Sequence, residues 1–206
     1  MFPMCLCGKK TLNLKIMKTV FISLKIFLLF TVITGIVYPL LVTGIAQIAF
    51  HSKANGSIIL KDNKAIGSEL IGQQFDSSIY FMSRPSAVSY NPLPSGGSNF
   101  GLTNPKLKDQ VTERKQKFIA FNELGTSTII PSEMLFASAS GLDPHISAKA
   151  ALLQVDRIAK ARGYNVAQKG KLTQCVKNNI EAPQLLCLGD ERVNVLLLNL
   201  DIDKIK

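Results

Sequence analysis

One long apolar run dominates the hydrophobic pattern of this chain. Residues 26–50 contain no charged side chain, whereas charged and polar residues recur throughout the sequence that follows. A helix rises about 1.5 Å per residue, so a run of this length can cross a hydrocarbon core of about 30 Å. The pattern predicts a short N-terminal segment over residues 1–25, one transmembrane helix over 26–50, and a single domain over 51–206.

The charges that flank this run predict its orientation. Five lysines precede it, whereas only His51 and Lys53 follow it closely, and the first acidic residue is Asp62. Basic residues beside a span favour the cytoplasmic face. We therefore expect a single-pass protein of the cell inner membrane, with a cytoplasmic N-terminus and a periplasmic domain. The preceding lysines are Lys9, Lys10, Lys15, Lys18 and Lys25.

A cleaved signal peptide is the main alternative to this anchor. Gly44-Ile45-Ala46 resembles a small-residue cleavage site. The apolar run is, however, longer than the roughly 7–15 residues of a typical signal core. It also contains Tyr38-Pro39, where the proline removes a backbone donor and is expected to kink the helix.

The domain shows both strand and helix patterns, which together predict an α+β fold. We expect strands at 58–60, 70–71, 185–188 and 193–201, and helices at 105–124, 131–136, 147–162 and 166–180. Asn104 and Ser147 precede two of these helices as N-caps. Residues 80–104 are rich in Pro, Gly, Ser and Asn and predict an ordered loop, because Phe81, Tyr90 and Phe100 supply apolar anchors.

The cysteines fall into two pairs. Cys5 and Cys7 precede the span, on the cytoplasmic side, where thiols stay reduced. If translation starts at Met17, residues 1–16 and both of these cysteines are absent from the protein. Cys175 and Cys187 lie in the exported domain. We expect two buried thiols there and leave a disulfide open, since sequence does not fix the Cα separation.

Charge and composition argue against a nucleic acid partner. The formal net charge is +10, of which the first 50 residues contribute +5 through their lysines. The bases of the domain are scattered among acids, without the clustering and aromatic interleaving of nucleic-acid-binding surfaces. We interpret them as a solvated surface.

The sequence contains few residues suited to catalysis. His145 is the best candidate base, and with Ser140 and Asp143 it would make a membrane-anchored periplasmic hydrolase. The Gly-x-Ser-x-Gly elbow is missing, so we interpret 143–147 as a turn that caps the next helix. No Cys or His spacing suggests a metal site.

One short run has the chemistry of an anion-binding loop. Ser95-Gly96-Gly97-Ser98-Asn99 combines adjacent glycines, whose N–H groups can point at a phosphate, with hydroxyl donors. Such runs are also common in ordinary turns. By itself the run indicates either an ordinary turn or a weak nucleotide site.

Blocks of residues spread along the chain resemble one family. In the span, Thr34-Gly35-Ile36-Val37-Tyr38-Pro39-Leu40 and Ala46-Gln47 resemble KdpC, the C subunits of bacterial high-affinity potassium-transporting ATPases. The similar blocks outside the span are residues 54–57, 67–75, 80–81, 83–87, 95–99, 104–105, 138–147, 154–157, 192–195 and 198–200. The resemblance covers the chain in order from about residue 17 to residue 203.

The resemblance implies a non-catalytic subunit of a potassium import pump. Its partners would be a potassium-translocating subunit and a P-type ATPase subunit. It would act as a catalytic chaperone that raises the ATP affinity of the ATPase subunit, so that ATP would be present in the complex and no cofactor would be held by this chain alone. Residues 95–99 correspond to a run likened to a nucleotide-contacting signature, although Pro94 and Asn99 depart from that pattern.

The predicted orientation separates residues 95–99 from cytoplasmic ATP, so direct nucleotide binding would require a cytoplasmic domain. A clamp is the physically easier role: the span packs beside partner helices and the outer domain covers the potassium entrance. Small and hydroxyl residues permit close helix packing, although they are also ordinary in spans. The predicted partner contacts are Thr34, Gly35, Tyr38, Pro39, Thr43, Gly44 and Gln47.

Overall fold

A computed structural model describes residues 7–185 and 187–205, with the side chains of residues 7–15 left out of the description. Cys5 therefore lies outside the described residues. The chain divides into two compact units, and the division falls between Asn55 and Gly56.

The N-terminal unit is a nearly continuous helix. Its parts are α1 (Cys7–Val32), a π-helical turn (Ile33–Val37), α2 (Tyr38–Ala49) and the short α3 (His51–Ala54). Residues Ile16–Ala49 form a helix long and apolar enough to cross a membrane. In its most apolar stretch of 18 residues, no part is buried within the protein. This helix covers residues 26–49 of the predicted span and extends it towards the N-terminus.

The π-helical turn lies where the proline was expected to disturb the helix. The N–H of Tyr38 donates to the carbonyl of Ile33, five residues back, instead of following the α-helical pattern. Pro39 has no N–H to donate to Gly35, and its ring would crowd that carbonyl. A single wide turn just before the proline accommodates both effects.

The second unit begins with a hairpin of β1 (Ile58–Lys61) and β2 (Lys64–Ser68), which pair antiparallel. Asp62 and Asn63 both have positive φ, at 51° and 59°, as a tight hairpin turn requires. The strand predicted at 70–71 is wrong. Ser68 bonds locally to the N–H groups of Leu70 and Ile71, and this turn ends β2.

A small antiparallel sheet and several helices form the rest of the domain, which confirms the α+β fold class. In the sheet, β5 (Arg192–Asn194) lies between β3 (His145–Ile146) and β4 (Ile180–Glu181). The helices are α4 (Pro105–Phe121), a 3₁₀ turn (Ser132–Met134), α5 (Ala148–Leu152), α6 (Val155–Ala161), α7 (Val166–Asn178) and α8 (Val195–Ile202). The fully buried core includes Phe81, Ile158, Leu172, Val193, Leu198 and Ile202. Asn104 and Ser147 cap α4 and α5 as predicted.

The predicted C-terminal strands are wrong. Residues 193–201 are divided between β5 and the buried helix α8, because the side chain of Asn194 accepts from the N–H groups of Leu196 and Leu197 and starts a helix there. A continuous apolar run cannot distinguish a buried strand from a buried helix. Residues 185–188 form no strand among the described residues, and only a bridge between Gln184 and Leu188 marks this turn.

The other helix predictions need smaller corrections. The helix predicted at 147–162 is broken into α5 and α6 by a turn at Leu153 and Gln154. The one expected at 131–136 is a single 3₁₀ turn. The expectation of two buried thiols is wrong, because Cys175 is half-buried and Cys187 is exposed. Neither cysteine forms a disulfide.

Residues 80–104 form no helix or strand, as predicted, and buried polar side chains hold the start of this loop. Asn199 accepts from the N–H of Phe81 at 2.8 Å and donates to its carbonyl at 3.0 Å. Gln154 accepts from the N–H of Met82 at 2.7 Å. Arg157 donates to the carbonyls of Ser78 and Tyr80. The sequence blocks 154–157 and 198–200 therefore stabilise the start of this loop.

Candidate functional site

Residues 95–99 pack against the segment 138–141. The N–H of Gly96 donates to the carbonyl of Ser140 at 2.9 Å, and a Cβ on Gly97 would lie 3.2 Å from the carbonyl oxygen of Ala139. Gly141 has a φ of +70°, and a Cβ there would lie 2.9 Å from the carbonyl oxygen of Gly96. Glycine is therefore needed for close backbone packing, and one N–H of the loop is already used inside the fold.

The rest of the loop is more open. Ser95 and Asn99 are exposed, and Ser98 is half-buried. Asn99 has a φ of +53°, a conformation that asparagine tolerates better than most residues. The hydroxyl and amide groups of these three residues are the part of the loop that a ligand or a partner can reach.

The segment 138–143 also contacts a second loop. The N–H of Gly72 donates to the carbonyl of Leu142 at 2.7 Å. A Cβ on Gly72 would lie only 2.6 Å from the carbonyl oxygen of Asp143, so a larger residue would force the two backbones apart. Residues around Gly72 and residues around Gly96 thus both contact the segment 138–143, which we call the central segment.

Asp143 links this segment to the loop that contains Arg84. Its carboxylate lies 2.6 Å from Nη1 of Arg84 and accepts from the N–H of His145 at 3.0 Å. Burial alone would raise the pKa of Asp143, but hydrogen bonds from His145 and from Arg84, together with the charge of Arg84, lower that pKa to about 2. Asp143 is therefore ionised at neutral pH.

The residues of the hydrolase alternative do not assemble into a catalytic triad. The hydroxyl of Ser140 accepts from the N–H of Leu142 at 3.1 Å, while Nδ1 of His145 lies 3.5 Å from Asp143. Among the hydrogen bonds of the described residues, none joins Ser140 to His145. The following Ser147 accepts from the N–H of Ala150 at 3.1 Å, which confirms that this turn caps α5.

An open cleft of about 580 Å³ lies beside the central segment. Leu70 and Ile71 line one part of it and are exposed, and the ion pair of Arg84 and Asp143 lies in its wall. Apolar residues around a partly desolvated ion pair are typical of protein contact surfaces. The cleft is therefore a candidate contact surface of the domain.

The predicted partner contacts of the span all lie on its helical segments and are solvent-accessible or half-buried. A Cβ on Gly35 or Gly44 would meet nothing within 4 Å, so each glycine leaves open space at the helix surface. The hydroxyl of Thr34 donates to the carbonyl of Phe30 at 2.7 Å. Tyr38, Pro39 and Thr43 are exposed.

Gln47 already has a partner within the N-terminal unit. Nδ2 of Asn55 donates to Oε1 of Gln47 at 3.1 Å and to the carbonyl of His51 at 2.7 Å. Residues 47, 51 and 55 thus form a polar ladder at the end of the span. An external partner of Gln47 would share or replace the bond to Asn55.

A family model described as "KdpC: K+-transporting ATPase, c chain" matches residues 20–204, which include the long apolar helix from residue 20 onward and nearly all of the second unit. The chain belongs to the KdpC family. Proteins named potassium-transporting ATPase KdpC subunit are similar over most of their length. That of Trichlorobacter lovleyi is 47% identical across 91% of this chain and 98% of its own, and that of Koribacter versatilis is 49% identical across 84% and 88%.

KdpC membership accounts for sequence blocks that no catalytic motif explained. The blocks 83–87 and 138–147 meet at the ion pair of Arg84 and Asp143, which lie 59 positions apart in sequence. Sequence reasoning missed this pair and the tight packing of Gly72. The arginine and the carboxylate are visible in the sequence, but nothing in a single chain indicates that they meet.

Proposed function

We propose that this chain is a non-catalytic accessory subunit of an ATP-driven potassium import pump. The observation that supports this most strongly is the family match across residues 20–204. This single match covers both the domain and most of the helix that is long enough to cross a membrane. The relatives are named as subunits of potassium-transporting ATPases. ATP hydrolysis would take place on another chain, the P-type ATPase subunit.

In this proposal the span is the attachment to the complex. Gly35 and Gly44 leave gaps at the helix surface, into which the backbone of a neighbouring helix fits closely. The lysines before the span favour a cytoplasmic N-terminus and a periplasmic domain. The domain then covers the outer side of the potassium-translocating subunit, and the cleft beside Leu70 and Ile71 is its candidate contact surface.

The same orientation makes the effect on ATP indirect. We propose that the subunit raises the ATP affinity of the ATPase subunit by stabilising one arrangement of the partner helices, as a catalytic chaperone. A subunit that binds one conformation of a partner more tightly shifts that partner's equilibrium and its ligand affinity with it. Contact between this chain and ATP is not required.

Co-purification with span variants tests the attachment. Gly35→Leu and Gly44→Leu fill the gaps but also raise helix propensity, so the span itself should remain helical. We expect each to reduce recovery of the partner subunits severalfold and to raise the ATP KM of what remains. Ile36→Leu, at an exposed neighbouring position, is the matched control.

Two results would contradict this proposal. Unchanged recovery in both glycine variants would place the attachment elsewhere. ATPase activity in the purified chain alone would contradict the assignment of a non-catalytic role.

Direct nucleotide contact by residues 95–99 is the alternative within the same pump. It is favoured by the exposed Ser95 and Asn99 and disfavoured by the N–H of Gly96, which is bonded to Ser140. It requires the domain to lie in the cytoplasm. Crosslinking of an azido-ATP analogue to this loop in the assembled pump, lost in Ser98→Ala, would support it.

A further inference from the structure

A groove runs along one side of α4, and the residues that line it differ from those of the cleft described above. It consists of two cavities of about 270 and 530 Å³, which share Asp76, Met82 and Lys117 in their linings. We call the two together the α4 groove. None of the predicted site residues lines it, although Ser86 belongs to the sequence block 83–87 of the family resemblance.

The first cavity has two basic side chains on its α4 wall, Arg114 and Lys117. Arg114 is half-buried, donates one hydrogen bond to the carbonyl of Leu135 at 3.0 Å, and takes part in none of the ion pairs found among the described residues. Burial lowers its pKa, because desolvation disfavours the charged form. An anion in the cavity would offset that cost.

Lys117 is also available to a ligand. Its ion pair with Glu113 lies at the surface, with both side chains largely exposed. Exposed pairs of this kind contribute little to stability, so the ammonium group can exchange partners at low cost. Arg114 and Lys117 are one helical turn apart and line the same cavity.

A hydroxyl donor adds to the two cations. The oxygen of Ser86, which lines the same cavity, accepts from the N–H groups of Val88 and Tyr90 at 3.2 and 2.9 Å. A serine hydroxyl has two acceptor lone pairs and one proton. Since both lone pairs are engaged, the remaining capacity of Ser86 is as a donor, which suits an anion.

The remainder of the groove is mainly apolar. Phe118 and Met134 lie in the first cavity, and Ala120 and Phe121 in the second, with Met82 common to both. The ring of Phe121 is fixed against the guanidinium group of the buried Arg157, 4.6 Å from its centroid. This half offers a rigid apolar surface without a further cation.

Charge limits the type of ligand. The two cations and the exposed carboxylate of Asp76 leave the lining with one net positive charge. We propose that the α4 groove binds a small amphiphilic monoanion, with its carboxylate, phosphate or sulfonate group at Arg114 and Lys117 and its apolar part over Met82 and Phe121. A medium-chain fatty acid and an aromatic carboxylate both have this chemistry.

The probe 1-anilinonaphthalene-8-sulfonate tests this directly, because it combines one anionic group with an apolar ring system. The full chain is placed in phosphatidylcholine nanodiscs, and probe fluorescence is titrated against empty nanodiscs. The chain contains no tryptophan, so protein fluorescence contributes little background. We expect saturable binding of about one probe per chain.

The variants separate the two halves of the site. Lys117→Gln should weaken probe binding about five- to tenfold, and Ala120→Phe should weaken it similarly by filling the apolar cavity. Both positions are exposed, so neither change should affect folding. Lys115→Gln, exposed on the same helix, is the matched control for charge.

Competition between the probe and other anions identifies the source of the natural ligand. Displacement by decanoate points to an acyl chain, and displacement by an aromatic carboxylate points to a soluble metabolite. Equal binding by all variants, or equal weakening by Lys115→Gln, would overturn the proposal. Loss of the site in the assembled pump would also overturn it and assign the groove to a subunit contact.

Discussion

At the scale of single residues, Asp143 shows how a sequence that lacks catalytic motifs can still fix a charged group tightly. Its carboxylate is held by Arg84 and by the backbone and ring of His145, with about a quarter of each of the three side chains exposed. These are residues that a hydrolase would need for proton transfer. Here they link the segment 138–143 and the start of β3 to the loop that contains Arg84.

The low pKa of Asp143 predicts how the stability of the folded state depends on pH. Because this pKa is about 2, below the ordinary value of 3.8, the ionised carboxylate stabilises the folded state fully above about pH 4 and loses this contribution as the pH falls to about 2. With the discount for partial exposure, the contribution is about 1–2 kcal/mol. Asp143→Asn should remove it.

Urea unfolding of the full chain in detergent, at several values of pH from 7 to 2, measures this effect. The difference in unfolding free energy between the native chain and Asp143→Asn should shrink as the pH falls below 4. Asp109→Asn, at an exposed position, should show little difference at any pH. A difference for Asp143→Asn that does not depend on pH would contradict the assignment.

At the scale of elements, buried side chains of the helices α6 and α8, rather than a neighbouring strand, bind the backbone at the start of the irregular segment 80–104. Asn199 on α8 bonds both the N–H and the carbonyl of Phe81, as a neighbouring strand would. Phe81 and Asn199 are both buried. The start of the loop 80–104 is therefore held by side chains of α8 and α6.

Replacement of Asn199 by alanine tests this support. It would leave two buried backbone groups of Phe81 without partners, at a cost of about 2–4 kcal/mol in unfolding free energy. Asn178→Ala, at an exposed position of α7, should cost less than about 0.5 kcal/mol. Faster amide exchange at Phe81 in the first variant would locate the effect, and equal stability of both variants would contradict it.

Whether a feature could be predicted depends on how far apart in the sequence its interacting residues lie. The caps Asn104 and Ser147 act within three residues, and the apolar helix is set by composition alone, so both were predictable. The C-terminal helix α8 was not, because apolar residues fill most of its positions without a helical period. The contact of Arg84 with Asp143 depends on the packing of loops distant in sequence.

At the scale of the whole molecule, one apolar helix and one α+β domain make up the described chain. Membership of the KdpC family covers both. The proposed indirect effect on ATP requires the domain to lie on the outer side of the membrane. An outward domain acts on ATP only through its partners, whereas an inward domain would make residues 95–99 available to the nucleotide.

Protease access to the domain after Lys53, in intact spheroplasts that express the complete pump, tests this most directly. The account predicts digestion of the domain from outside while the cytoplasmic ATPase subunit stays intact. A denaturing control with full digestion excludes shielding by partner subunits. Protection of the domain until the cells are lysed would contradict the proposed orientation and favour direct contact with ATP.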